Sequence, residues 1–212
     1  MLIFITHPSE KYSIAEEVQM AIEGGCRWIQ LRMKDASDQE VRNSALELIP
    51  MCRETDTFLT IDDRVDIVNE LKVSGVHLGK EDMDPLKARE LLGPHAIIGV
   101  TANTVDDILK YKNKDIDYIG LGPCRFTTTK KNLSPEIGID GYGKIIKEVR
   151  DAGMDIPIVA IGGLTIRDVK PLMEQGVNGI AMSQAIIGAD DPMLYTSEVM
   201  EKLLGIPHDS SK

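Results

Sequence analysis

Short apolar runs alternate with longer amphipathic stretches from one end of the chain to the other. The apolar runs predict strands at Leu2–Ile5, Trp28–Leu31, Phe58–Ile61, Gly75–Leu78, Ile97–Val100, Tyr118–Leu121, Ile158–Ile161 and Gly179–Met182. Most are continuous rather than alternating, as expected of strands buried on both faces of a parallel sheet. Helices are predicted between them, over 13–24, 38–54, 64–72, 85–92, 104–112, 140–152, 167–175 and 191–204. The second places Val41, Ala45, Leu48 and Cys52 on one stripe at helical spacing. Strand–helix units of this kind either close into a parallel barrel or wind into an open sheet. Their recurrence through the whole chain, with no second composition, favours an α/β protein built as a single (β/α)8 TIM barrel over 1–207. The polar tail 208–212 is expected to fray. With 212 residues against roughly 250 for a usual barrel, the loops must be short.

Composition narrows what such a barrel can do. The chain is 42% hydrophobic and 27% charged, the profile of an ordinary globular protein. A net charge of −10 opposes broad binding to nucleic acid or to an anionic membrane. A phosphate-binding protein of this charge must cluster its few cations or recruit a metal. The N-terminus lacks the basic start and long apolar run of a signal peptide, and no run reaches the ~18 apolar residues of a membrane span. Three cysteines, Cys26, Cys52 and Cys124, stand at no metal-like spacing. Their odd number fits reduced, structural thiols and a cytoplasmic location.

The polar clusters fall directly after predicted strands, where barrel enzymes build their sites. Along QLRMK, alternation sends Gln30, Arg32 and Lys34 to one side, where a guanidinium fork and an ammonium suit a diphosphate. The alternative there is an exposed strand with solvated charges. Asp62-Asp63 follows the third strand and Glu81-Asp82 the fourth. Hard oxygen ligands on separate loops, completed by phosphate oxygens and water, are the usual way to hold Mg2+, although Asp63 also suits a helix N-cap. His77 reads better as a core or supporting histidine than as a ligand. Thr101 stands where it either caps a helix or touches a ligand. The long segment from Gly120 to Lys131 carries Thr127, Thr128, Thr129 and Lys130, suited to phosphate oxygens; a plain surface crossing is the alternative. Gly162-Gly163 after strand seven and Ser183-Gln184 after strand eight fit the usual barrel phosphate site.

Taken in order, QLRMK (30–34), DDRVDI (62–67), GVHLGKEDM (75–83), IGVTAN (98–103), DYIGLGPCRFTTTK (117–130), IPIVAIGGL (156–164) and GIAMSQAI (179–186) resemble the thiamine phosphate synthase, or pyrophosphorylase, family. The resemblance implies a transferase that couples hydroxymethylpyrimidine diphosphate with hydroxyethylthiazole phosphate, or its carboxylated form. The products are thiamine phosphate and pyrophosphate, formed through a dissociative pyrimidine cation with Mg2+. It implies Gln30, Arg32, Lys34, Asp62, Thr101 and Lys130 around the pyrimidine diphosphate, with Arg32, Lys34 and Lys130 stabilising charge during catalysis. Asp63 and Asp82 are implied as the Mg2+ ligands. Thr127, Thr129, Gly163, Ser183 and Gln184 are implied at the thiazole phosphate. Partners are then small phosphorylated molecules, with no nucleic acid and no membrane; assembly into a homo-oligomer is left open.

The sequence departs from the family pattern in places. Asp62 replaces a frequent Asn, Thr101 a commoner Ser, Gln184 a more usual Ser, and Arg125-Phe126 an aromatic–Pro pair. The effects of Asp62, Arg125 and Gln184 are left open; an extra arginine near the thiazole phosphate would tighten its binding. Two other functions compete. A thiazole tautomerase of the same fold would have no use for the diphosphate and metal set. A non-catalytic barrel that binds thiamine phosphate would need only one cation cluster.

Overall fold

The computed structural model describes residues 1–126 and 135–205. Eight parallel strands close into a barrel in chain order: β1 (Leu2–Ile5), β2 (Trp28–Leu31), β3 (Phe58–Asp62), β4 (Gly75–Leu78), β5 (Ile97–Ala102), β6 (Tyr118–Leu121), β7 (Ile158–Ile161) and β8 (Gly179–Met182). Pairing of Leu2 with Ile180 and Phe4 with Met182 completes the ring between β1 and β8. The (β/α)8 barrel is therefore the fold, and an open sheet is excluded. Strands β3 and β5 run further than expected, to Asp62 and Ala102, so Asp62 and Thr101 belong to the rigid wall.

The surrounding helices are α1 (Ile14–Glu23), α2 (Asp38–Glu54), α3 (Val65–Leu71), α4 (Pro85–Leu92), α5 (Val105–Leu109), α6 (Ile139–Asp151), α7 (Val169–Glu174), α8 (Gln184–Ile187) and α9 (Pro192–Leu204). Local chemistry sets their starts. Ser13 with Glu16, and Ser37 with Glu40, form reciprocal capping boxes for α1 and α2. Asp84 and Asp191 cap α4 and α9, with proline in the first turn of each. The stripe Val41, Ala45, Leu48 and Cys52 is buried as expected, each larger side chain contributing roughly 1.5–3 kcal/mol by its burial. The short α8 was not anticipated: four residues are too few for a periodic signal.

Alternation along each strand divides the core in two. Leu2, Phe4, Ile29 and Leu31 face the helices, whereas Ile3, Ile5, Tyr118, Val159 and Ala181 pack inside the barrel. Gln30, Thr60, Asp62 and His77 are also buried, and their even spacing puts them on the inward face. Apolar contacts thus fill the floor of the barrel while its upper layer is polar. None of the described helices is long and apolar enough to cross a membrane. The expected tail 208–212 lies outside the described residues.

Candidate active site

A cavity opens at the C-terminal mouth of the barrel. Its β2–β3 wall carries Gln30, Arg32, Lys34, Asp62 and Asp63; the opposite wall carries Gly163, Ser183 and Gln184, and Thr101 stands between them. Strand register explains the first cluster. Gln30 pairs with Thr60 in the ladder, and its side-chain amide donates to Asp62 Oδ1 at 2.7 Å. Arg32 follows with its Nε 3.9 Å from Asp62 Oδ2, its own N–H held by the Thr6 hydroxyl at 2.9 Å. Lys34 Nζ lies 3.3 Å from Asp63 Oδ2. The three side chains therefore do share one side, and it is the inside.

The carboxylates form a continuous acidic line facing those cations. Burial first, and then the neighbouring Asp63, push the Asp62 carboxyl up to about 7, against the pull of Arg32, Lys34 and Gln30. The Asp63 and Asp82 carboxyls face each other closely enough to share a proton. Burial and then this contact raise Asp63 to about 6. Burial also acts to raise Asp82, but the hydrogen bond from Asp63 and that from the Gly79 N–H, at 2.6 Å, outweigh it and hold the group low. Asp63 adopts a left-handed backbone at φ 66°, and its N–H is tied to the His77 carbonyl at 2.9 Å. That geometry aims the side chain across β3–β4 and removes the helix-cap alternative: Arg64 occupies the cap position of α3, with no side-chain cap bond.

On the opposite wall, β7 ends in Gly162 and Gly163, at φ 98° and 63°, conformations that favour glycine. They turn the backbone over the cavity. Ser183 precedes α8, and its hydroxyl is buried with no hydrogen-bond partner among the described residues. Such an orphan in a polar cavity marks a position completed by something else. Gln184 begins α8 and also lines the cavity. Thr127, Thr129 and Lys130 lie outside the described residues.

Two expectations change. Arg125 does not line the cavity; its guanidinium grips Asp168 through bonds of 2.6 and 2.7 Å, because that buried carboxylate behind β7 offers a bidentate partner. Thr101 does not cap α5, since Thr104 does so by accepting from the Asp107 N–H; the Thr101 hydroxyl instead meets His77 Nε2 at 3.0 Å. Sequence reasoning missed Asn103, which lines the cavity and is held by bonds to Gly122 and Asp107. Its position two residues after inward-facing Thr101 was the available signal. All three cysteines are buried, as expected of structural thiols.

Among the described residues no group of three or more His, Cys, Asp or Glu side chains is arranged to hold a metal. The two-carboxylate pair Asp63/Asp82 remains. It fits a hard cation whose other ligands are phosphate oxygens and water, as Mg2+ prefers, and a cation there would relieve the repulsion between the two carboxylates. The cavity offers paired charges and directed donors rather than a nucleophile beside a base, an arrangement suited to binding and ionising a phosphorylated molecule.

Comparison with known proteins agrees with this geometry. Residues 2–186 match the family model described as thiamine monophosphate synthase. A thiamine-phosphate synthase of Bacteroides fragilis is 51% identical over 199 residues, covering 94% of this chain and 98% of its own. Another, from Flavobacterium johnsoniae, is 39% identical over 186 residues, 88% of each chain. The solved thiamine phosphate pyrophosphorylase from Pyrococcus furiosus aligns with a TM-score of 0.84 and 34% identity over 97% of this chain and 96% of that one. The chain therefore belongs to the thiamine monophosphate synthase family of transferases.

Proposed function

We propose that the cavity joins hydroxymethylpyrimidine diphosphate to hydroxyethylthiazole phosphate, or its carboxylated form, releasing pyrophosphate and leaving thiamine phosphate. The observation that carries this reading is the meeting of two cations and two facing carboxylates at one edge of the cavity: Lys34 lies 3.3 Å from Asp63, and Asp63 faces Asp82. A monophosphate ligand alone would not call for that set. The orphan Ser183 hydroxyl and the Gly162-Gly163 turn on the opposite wall supply a separate place for the thiazole phosphate.

In this reading Gln30, Arg32 and Lys34 bind the diphosphate, with Lys130 from the segment outside the described residues. Asp63 and Asp82 would hold Mg2+, which supplies positive charge to the leaving pyrophosphate. The C–O bond to the diphosphate breaks, leaving a pyrimidine methyl cation stabilised by its own ring, and the thiazole nitrogen then bonds to that carbon. Arg32, Lys34 and Lys130 stabilise the charge that builds on the departing oxygen. The walls hold both rings in register, so catalysis comes from positioning and electrostatics. Thr127 and Thr129 join Gly163, Ser183 and Gln184 at the thiazole phosphate, and Asp62 and Thr101 face the pyrimidine. The test is direct: purified protein with both substrates and Mg2+ is expected to form thiamine phosphate and pyrophosphate in equal amounts. Isomerisation of the thiazole without pyrophosphate would replace this reading with the tautomerase one, and binding without turnover would replace it with a sensor.

A further inference from the structure

Behind Thr101 runs a buried polar chain that the activity just proposed does not by itself require. The Tyr118 hydroxyl lies 2.9 Å from His77 Nδ1, and His77 Nε2 lies 3.0 Å from the Thr101 hydroxyl. The three residues come from the neighbouring strands β6, β4 and β5, and His77 and Thr101 both line the cavity. Two glycines make room for them. A methyl group on Gly99 would overlap the Tyr118 ring, and one on Gly120 would stand 3.1 Å from His77 Cε1. Side chains at those inward positions would fill the space with ordinary core. Instead the strands leave it open for an imidazole and a phenol, which are costly to bury unless each polar atom is matched.

That cost assigns the protons. Tyr118 is 2% exposed, and its hydroxyl has no hydrogen-bond partner besides His77 among the described residues. The phenol proton must therefore go to Nδ1, or a buried donor is left unmatched. Nδ1 then carries no proton and the neutral ring carries its proton on Nε2. Nε2–H donates to Thr101, which fills one side of that hydroxyl. Thr101 lines the cavity, and its own proton is left to point into it.

We infer that the Tyr118–His77–Thr101 chain presents Thr101 as a hydrogen-bond donor to a ring-nitrogen lone pair of the pyrimidine substrate, with His77 and Tyr118 as positioning residues. The inference rests on the proposed pyrimidine site. The chain also makes His77 a donor to Thr101 rather than its base, so Thr101 is not an activated nucleophile. With one lone pair of the hydroxyl filled by His77 and its proton facing the cavity, an acceptor group on a ligand is matched at this point, which fixes the orientation of the ring relative to its reacting methylene.

The coupling assay on the unaltered protein tests the pyrimidine site itself; absence of turnover there sinks that reading. The chain is tested separately by nitrogen-15 NMR of the unaltered protein at neutral pH, with His77 assigned by its disappearance in His77→Gln. A protonated Nε2 and a bare Nδ1 are expected, and the reverse tautomer overturns the inference whatever the turnover. Tyr118→Phe is expected to lower kcat/KM for hydroxymethylpyrimidine diphosphate by about tenfold, with KM for thiazole phosphate within about twofold. Adding it to Thr101→Val is expected to cause no further loss, because the tyrosine acts through that hydroxyl. An equal loss in both backgrounds would show a merely structural role and overturn the inference. His77→Gln, which keeps an N–H for Thr101, is expected to retain more activity than His77→Leu; equal losses count against it in the same way.

Discussion

The Arg125 guanidinium closes on the Asp168 carboxylate with two hydrogen bonds, Nη1 to Oδ2 at 2.6 Å and Nη2 to Oδ1 at 2.7 Å. Asp168 also accepts from the N–H and hydroxyl of Thr165, so one buried carboxylate ties the end of β6 to the turn after β7. The Arg125 N–H adds a bond to the Gly162 carbonyl at 3.1 Å. The pair braces the glycine turn from behind. Arg125→Ala is expected to cost about 1–3 kcal/mol, from the loss of a charged partner to a buried group, measured by urea unfolding. Burial acts to raise the Asp168 pKa, but Arg125 and Thr165 outweigh it and set the carboxyl below its usual range. Its contribution is therefore full above the ordinary aspartate value and lost as pH falls through the depressed one. The difference between the two proteins should shrink in strong acid; a difference constant down to that range would refute the pairing as its source.

Ser183→Ala removes a buried hydroxyl that has no partner among the described residues. Stability is expected to hold or rise slightly, while KM for thiazole phosphate rises about tenfold. Steady-state kinetics with a melting curve separate the two effects. A large loss of stability with unchanged KM would place the hydroxyl in a purely structural role.

Asp82→Asn keeps the shape of the side chain but removes one charge of the facing pair. The half-saturating Mg2+ concentration for turnover is expected to rise by at least about tenfold, and EDTA should abolish activity of the unaltered protein reversibly. Activity indifferent to EDTA would remove the metal from the proposal.

Lys130→Ala is expected to lower turnover by about a hundredfold or more, with the far-ultraviolet circular dichroism spectrum unchanged. This prediction comes from the sequence alone, and near-normal turnover would strike Lys130 from the catalytic set.

Glu17 stands in the first turn of α1, 1% exposed, with Oε1 lacking a hydrogen-bond partner among the described residues and Oε2 accepting from the His7 N–H at 3.3 Å. Burial, partly offset by that bond, pushes its carboxyl up to about 7 from 4.5. The folded state therefore binds the proton more tightly than the unfolded chain. Stability is greatest below the ordinary value and declines as pH rises from there through the folded value. Glu17→Gln should stabilise the protein by roughly 1–2 kcal/mol at pH 8 and scarcely at all at pH 4; equal gains at both pH values would contradict this.

Much of this architecture could be read along the chain, and the exceptions have physical causes. All eight strands lay at the apolar runs that predicted them, with β3 and β5 continuing to Asp62 and Ala102. Gln30, Arg32 and Lys34 were correctly assigned to one side because strand periodicity is strict. The pairing of Arg125 was not legible because nothing in the local sequence shows that Asp168 stands opposite. Thr101 could have been a cap or a site residue until β5 was seen to continue through Ala102. Asn103 went unnoticed because an Asn before a helix ordinarily reads as a turn residue.

Repeated periodicity, written along the chain, determined the barrel, its strand positions and the inward parity of the polar residues, because each depends only on near neighbours and on burial. Closure of the ring decided the rest. Which carboxylate faces which, where the Tyr118 proton goes, and what Arg125 holds depend on atoms from strands distant in sequence. Those contacts exist only after β1 has met β8 and the inward side chains are forced to share one small space.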